Sequence, residues 1–269
     1  MKHICIVGGV LGILLGACNP FEYHPYDVRL DKKYKNINQK NLERIKLADR
    51  HQDTVRFVFM GDSQRWYDET EDFVKAVNQR NDIDFVVHGG DISDFGMKEE
   101  FCWIHDIMNK LKVPYVAMIG NHDHLGSGGE IYKAMYGDYN FSFIYSGIKF
   151  LALNTNALEF DYRTPVPDFD FIIHEIKDSV NHPYEQTIAM MHTQPGDVVF
   201  NNNVKHIFHE YLKRFNNLRF CVHAHAHSLM VNDFFGDSII YYGSDAMKNR
   251  NYLLFTVSKD SYEREVVYF

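Results

Sequence analysis

Residues 54–64 read TVRFVFMGDSQ, a seven-residue β-rich run followed by Gly, Asp, Ser and Gln. A short apolar run rich in Val and Phe, closed by glycine and polar residues, is the pattern of a buried strand that ends in a turn. The form recurs in IDFVVHGGD at 83–91 and in PYVAMIGNHD at 114–123. Between these runs lie ETEDFVKAVNQR (69–80) and MKEEFCWIHDIMNKLK (97–112), the second with Phe101, Ile104, Ile107, Met108 and Leu111 at helical spacing. Strands alternating with helices imply βαβ units and a parallel sheet.

Further along, YNFSFIYSGIKFLALNT (139–155) reads as two strands joined by a Ser-Gly turn, a hairpin. A helix near 169–180 follows, then a strand at QTIAMMH (186–192), a helix at NVKHIFHEYLKRF (203–215), a strand at LRFCVHA (218–224) and a run of strands to Phe269. The expected fold class is α/β, a four-layer α/β/β/α sandwich in which two mixed sheets pack face to face with helices outside. FFGDSII (234–240) repeats the Gly-Asp-Ser of the first strand end, but strand-like residues flank it on both sides. Gly236 and Asp237 are therefore expected to form a hairpin turn.

With 269 residues, 45% hydrophobic and 24% charged, the chain suits one catalytic-sized domain. Its net charge of -8, without a long basic run, argues against nucleic acid as a partner and leaves room for a small phosphorylated substrate. The opening MKHICIVGGVLGILLGACNP has a basic start at Lys2 and an apolar run from Ile4 to Ala17, too short for the roughly 20 residues of a spanning helix. It reads as an export signal. Leu15-Gly16-Ala17-Cys18 resembles a bacterial lipobox, which implies a signal peptide at 1–17, lipidation of Cys18 and a membrane partner reached through that lipid. The expected location is the exported cell envelope, on a periplasmic or surface face. Residues 18–53 are expected to form a tether, with room for a short helix in NQKNLERIKLADRH, and 54–269 the domain. Cys102 and Cys221 read as buried small hydrophobes, and no disulfide framework is implied.

Ligands of open α/β sheets bind at the carboxyl ends of strands. There stand Asp62 and Gln64, then Asp91 and Asp94, then Asn121, His122, Asp123 and His124, then His192, and in FCVHAHAHS (220–228) His223, His225 and His227. Carboxylates, amides and imidazoles are ligands for hard and borderline divalent metals. His225 and His227, two apart on a strand end, can reach one point from one edge.

The ordered series GDSQ, GGDISD, GNHD, MMH and HAHS resembles the calcineurin-like metallophosphoesterase superfamily, whose pattern is GDxH, GDxxD, GNHD or GNHE, a lone His and GHxH, over about 55–245. The resemblance implies two divalent metal ions. One would be held by Asp62, Gln64, Asp91 and His227, the other by Asp91, Asn121, His192 and His225, with Asp91 bridging and an activated hydroxide as nucleophile. It implies His122 as the catalytic histidine at the leaving group or phosphate, oriented by Asp94. Gln64 and Ala224 depart from the pattern. An amide oxygen at Gln64 favours Mn²⁺ or Mg²⁺, with Zn²⁺ and iron still compatible, and Ala224 in place of Gly implies a slightly different turn. On this register His223 is a supporting or buried histidine, and His88 a core one. Arg65 is a candidate for gripping phosphate, and His124 either touches substrate or faces solvent. The implied reaction is hydrolysis of a phosphodiester, a nucleotide pyrophosphate or a phosphomonoester. The rivals are a decayed binding protein on the same fold and a dimetal hydrolase of non-phosphate esters or amides.

Overall fold

The structure, a computed structural model, describes residues 27–160 and 164–269. The expected signal peptide, Cys18 and the start of the tether lie outside the described residues. Among the described residues, eleven strands form two mixed sheets. The first has the order β11 (Tyr262–Tyr268), β10 (Asn251–Ser258), β1 (Thr54–Met60), β2 (Phe85–His88) and β3 (Tyr115–Ala117). The second runs β4 (Phe141–Tyr145), β5 (Ile148–Leu153), β6 (Gln186–Met191), β7 (Leu218–His223), β9 (Tyr241–Gly243) and β8 (Met230–Asn232). Strands β1, β2 and β3 are parallel to one another, as are β5, β6 and β7.

Side-chain alternation builds three apolar layers. On β1, Phe57 and Phe59 face the second sheet, whereas Val58 and Met60 face helices. Phe150 and Phe220 meet them from β5 and β7, while Leu151 and Cys221 turn to the opposite side. The centre is aromatic: the Phe57 ring stacks on Phe255 at 5.1 Å and meets Phe150 edge-on at 5.2 Å. Outside the first sheet pack α2 (Tyr67–Asn78), α3 (Lys98–Met108) and α4 (Gly128–Met135). Outside the second pack α5 (Phe169–Lys177) and α6 (Lys205–Leu212). This is the expected four-layer sandwich.

Two expectations change. The second half of the expected tether is a packed element, α1 (Ile37–Ala48), which buries Ile37, Asn38, Asn41 and Ile45. Its Asn38 amide donates to the Ala117 carbonyl at 2.8 Å and accepts from the Ala117 N–H at 2.9 Å, so a side chain satisfies the open edge of β3. Around Gly236 and Asp237 there is no tight hairpin. Residues 233–240 form a loop between the antiparallel β8 and β9, folded on the Asp233 carboxylate, which accepts from the N–H groups of Gly236 and Ser238 at 2.7 and 3.0 Å. Among the described residues, no helix is long and apolar enough to cross a membrane.

Candidate metal centre

The carboxyl ends of β1, β2, β3, β6 and β7 converge on one cluster. Asp91, His192 and His225 form one donor triad and Asp62, Asp91 and His227 another, the donor atoms of each lying within 4.8 Å of one another. Asp91 belongs to both. His192 Nε2 lies 3.3 Å from Asp91 Oδ1 and 3.1 Å from Asn121 Oδ1. His225 Nδ1 lies 2.9 Å from that same amide oxygen. Gln64 is buried and its Nε2 donates to Asp91 Oδ2 at 3.0 Å.

The backbone that presents these groups is unusual. Asp62, Gln64, Asp91, His225 and His227 all have φ between 35° and 67°. Left-handed conformations at non-glycine residues are sparsely populated and persist where the surroundings over-determine them. The surroundings here are hydrogen bonds: Asp62 N–H donates to the Gly90 carbonyl at 2.9 Å, Gln64 N–H to the Asp91 carbonyl at 3.0 Å, and His225 N–H to Asp62 Oδ2 at 3.1 Å. Gly120 lets the strand ends close up, since a Cβ there would sit 2.1 Å from Asp91 Oδ1.

Ala224, the departure from the family's GHxH, takes no positive φ and is fully buried, with its N–H donating to the His192 carbonyl at 3.0 Å. Its methyl group fills space beside Gly61, where an added Cβ would lie 2.7 Å away. One methyl is accommodated because the facing residue has none.

The donor set fits divalent cations. Asp62 Oδ1 is buried and accepts no hydrogen bond among the described residues, with His227 Nε2 3.3 Å away. An orphaned buried carboxylate oxygen costs stability unless a cation compensates it. His192 Nδ1 donates to the Gly89 carbonyl at 2.9 Å, which turns Nε2 toward the cluster. Burial pushes the Asp91 carboxyl up, but His192 and His122 more than reverse this and hold it at about 2. It is therefore an anion within a buried cluster.

His122 sits at the mouth, with its side chain 37% exposed. Its Nδ1 donates to the backbone carbonyl of Asp94 at 2.8 Å, whereas the Asp94 carboxylate is 3.7 Å away and accepts from Arg65 at 2.7 Å. Asp94 thus orients His122 through its main chain, a correction to the carboxylate role expected from sequence. Arg65 is itself largely exposed and held beside the mouth by that pair. His124 is only partly exposed and stands in neither donor triad. Its ring packs edge-on against Phe160 at 4.6 Å and Tyr139 at 5.1 Å, with Nε2 buried and unpartnered, and burial lowers it to about 4.

His88 and His223 are fully buried. The Gly90 N–H donates to His88 Nδ1 at 3.2 Å, so Nε2 carries the proton and donates to Ser63 Oγ at 2.8 Å. His223 Nδ1 donates to the Ala224 carbonyl at 3.0 Å, and burial lowers the ring to about 4.

Two residues given no role from sequence organise the site. The buried Asp123 carboxylate accepts from the N–H groups of Ile92, Ser93 and Gly120 at 2.8 to 3.2 Å, tying two strand-end loops together. Burial and the neighbouring Asp91 push it up to about 7. Asp197 Oδ1 lies 3.2 Å from His225 Nε2 and so restrains that ring from outside. Asp123 stood inside a recognisable motif, whereas nothing around Asp197 marked it.

The fold and geometry agree with comparisons to known proteins. No curated protein matches the sequence. Among solved structures, the chain resembles GAP50, described as the anchor in the inner membrane complex of Plasmodium, with TM-score 0.57, 12% identity, and 81% of this chain and 85% of that chain covered. It also resembles the 5'-nucleotidase of Candida albicans SC5314, with TM-score 0.56, 14% identity and 80% of this chain covered, although it spans only 51% of that enzyme. The protein TT1561 of Thermus thermophilus gives TM-score 0.55 at 12% identity, with 79% and 98% covered. At these identities the likeness speaks for fold alone. The family model for calcineurin-like phosphoesterases matches residues 55–229, a span that contains the whole cluster, and the chain belongs to that family.

Proposed function

We propose that the protein hydrolyses phosphate esters or anhydrides as a dimetal enzyme, tethered to an exported cell-envelope membrane through lipid on Cys18. The observation that carries the reading is the shared Asp91, a buried anion placed in both donor triads, since two cations a few ångströms apart need an anionic bridge. Asp62, Gln64, Asp91 and His227 would hold one ion, and Asp91, Asn121, His192 and His225 the other. When bound, such a pair supplies Lewis acidity to the phosphoryl oxygens and a water acidified near neutral pH.

The chain's own residues do the rest. The Asp94 carbonyl accepts the Nδ1–H of His122, so Nε2 is the atom presented at the mouth, where the imidazolium form can give its Nε2 proton to the leaving oxygen or offset charge on the phosphoryl group. Arg65, bonded beside it to Asp94, would meet a phosphate oxygen that competes for its guanidinium. Asp123 holds the loops that carry Asp91 and Asn121, so the donors are preorganised before substrate arrives. The decayed-protein rival draws on Gln64, whose amide nitrogen faces Asp91. Half a turn of that amide exchanges nitrogen for oxygen in place, so a ligand role needs no backbone movement.

The test is hydrolysis of bis(p-nitrophenyl) phosphate and p-nitrophenyl phosphate by metal-stripped protein re-supplied separately with Mn²⁺, Mg²⁺, Zn²⁺ and Fe²⁺. Metal-restored turnover, best with Mn²⁺, is expected. Stoichiometric metal binding with no turnover of either ester would favour the decayed binding protein.

A further inference from the structure

The two ion positions are unequal in charge. That of Asp62, Gln64, Asp91 and His227 has two carboxylates, whereas that of Asp91, Asn121, His192 and His225 has only the shared one beside an amide and two imidazoles. A divalent ion at the second position is therefore held by less negative charge, unless an anion stands just behind its donors.

Asp197 stands there. Its Oδ1 lies 3.2 Å from His225 Nε2, while the other ring nitrogen, Nδ1, is 2.9 Å from Asn121 Oδ1. His192 Nε2 reaches the same amide oxygen at 3.1 Å, so two ring nitrogens and one oxygen converge. Each ring turns its remaining nitrogen outward. For His192 that nitrogen donates to the Gly89 carbonyl, and for His225 it faces the Asp197 carboxylate. An imidazole that gives one lone pair to a cation keeps its proton on the other nitrogen, and an anion beside that proton fixes the tautomer and makes the ring a stronger donor.

The loop that carries Asp197 keeps it in place. It leaves β6 directly after His192, and Asp197 Oδ1 accepts from the Val199 N–H at 2.9 Å. The Asn202 amide donates to the Asp197 carbonyl at 2.6 Å and accepts from the Gly196 N–H at 2.8 Å, which closes the loop on itself. The Leu158 N–H donates to the Val199 carbonyl at 3.1 Å and ties the loop to its neighbour. Among the described residues, the ionisable group paired with this carboxylate is His225.

We propose that Asp197 is a positioning residue for the ion of the His192 and His225 position: it keeps His225 Nδ1 turned toward that ion and supplies the negative charge that the position's own donors lack. The inference rests on the two-ion reading and adds a residue outside both donor sets.

The experiment titrates Mn²⁺ calorimetrically into the metal-stripped protein and its Asp197→Asn and Asp197→Ala variants. Asparagine keeps an oxygen for the Val199 N–H and removes only the charge, so the loop should stay closed. In Asp197→Ala one of the two ions should bind about 10- to 100-fold more weakly, with Asp197→Asn between it and wild type. The other ion's affinity, and the thermal midpoint of metal-stripped Asp197→Asn, should not change. In Zn²⁺-loaded protein, nitrogen-15 spectra should show a protected His225 Nε2–H that exchanges faster in Asp197→Asn, a signature that a merely structural carboxylate would not give. Wild-type affinities in Asp197→Ala, or both ions weakened equally, overturn the proposal whatever the turnover. Fewer than two ions in the wild type overturns the two-ion reading and this one with it. If both ions load and Asp197 controls one of them, but no p-nitrophenyl ester is hydrolysed, the phosphoesterase reading fails and the role of Asp197 stands.

Discussion

The tripeptide Gly-Asp-Ser occurs at 61–63 and again at 236–238, and the two copies have little in common beyond composition. At the first, Asp62 is fully buried with φ of 53°, one of its oxygens has no hydrogen-bond donor, and Ser63 is sealed beneath against His88. At the second, Asp237 lies on a loop between strands and is saturated. His209 Nε2 and Lys213 Nζ each lie 2.9 Å from its Oδ2, and the Ile239 N–H donates to its Oδ1 at 3.3 Å. The first carboxylate leaves an oxygen unpartnered in a donor cluster, whereas the second is bonded within the chain itself. What separates them is position: the end of a central parallel strand facing other strand ends, against an edge loop reached by α6.

The strongest way to break the contrast is at Asp62. Asp62→Asn should weaken metal binding and cut metal-dependent turnover by at least about a hundredfold, yet leave the thermal midpoint of the metal-stripped protein unchanged or raised, because a buried, under-satisfied anion is removed. A clear loss of stability in metal-stripped protein would show that this carboxylate is structural after all.

His122→Ala sharpens the functional half. Turnover should fall by about 10² to 10⁴ while metal content stays at the wild-type value, because the ring is held by a main-chain carbonyl and is in neither triad. Full activity in this variant would remove the role assigned to it.

Asp237→Asn should do the reverse of Asp62→Asn, costing about 1 to 2 kcal/mol with metal binding and turnover intact. Burial raises the Asp237 carboxyl, but the bonds from His209 and Lys213 outweigh it and hold the group at about 2. A carboxyl lowered on folding contributes stability that is fully present above its unfolded value near about 4 and is lost as pH falls through the folded value. The stability gap between wild type and variant, read from urea unfolding, should thus be constant from neutral pH down to about 5 and narrow below about 4. A gap unchanged at acid pH would contradict the pairing.

The serines give the smallest contrast. Ser63→Ala leaves the buried His88 Nε2–H without an acceptor and should cost about 1 to 3 kcal/mol. Ser238→Ala, on an exposed residue whose N–H still reaches Asp233, should stay within about 0.5 kcal/mol.

The sandwich was legible because its information is local. The alternation in TVRFVFM sends Phe57 and Phe59 one way and Val58 and Met60 the other, and that pattern alone calls for two covered faces. The strand-end residues were legible because each ended a recognisable strand, and the HAHAH register fell on His225 and His227, which stand in the two triads, while His223 is buried outside them.

What stayed hidden was carried by main-chain groups and by loops. A short helix was foreseen in NQKNLERIKLADRH, but its docking was not, because it packs through an Asn38 side chain on a strand edge. The Asp94 carbonyl that holds His122 is common to every residue type, and Asp197 reaches His225 only because a loop folds back. The loop at 233–240 looked like strand because Phe234, Phe235, Ile239 and Ile240 have strand preferences that the Asp233 hydrogen bonds override.

The most direct measurement is a calorimetric titration of Mn²⁺ into the metal-stripped protein and into its Asp91→Ala variant. The account predicts two ions per chain in the wild type and neither bound tightly in the variant, because one carboxylate serves both positions. A single ion in the wild type, or two retained without Asp91, would contradict it.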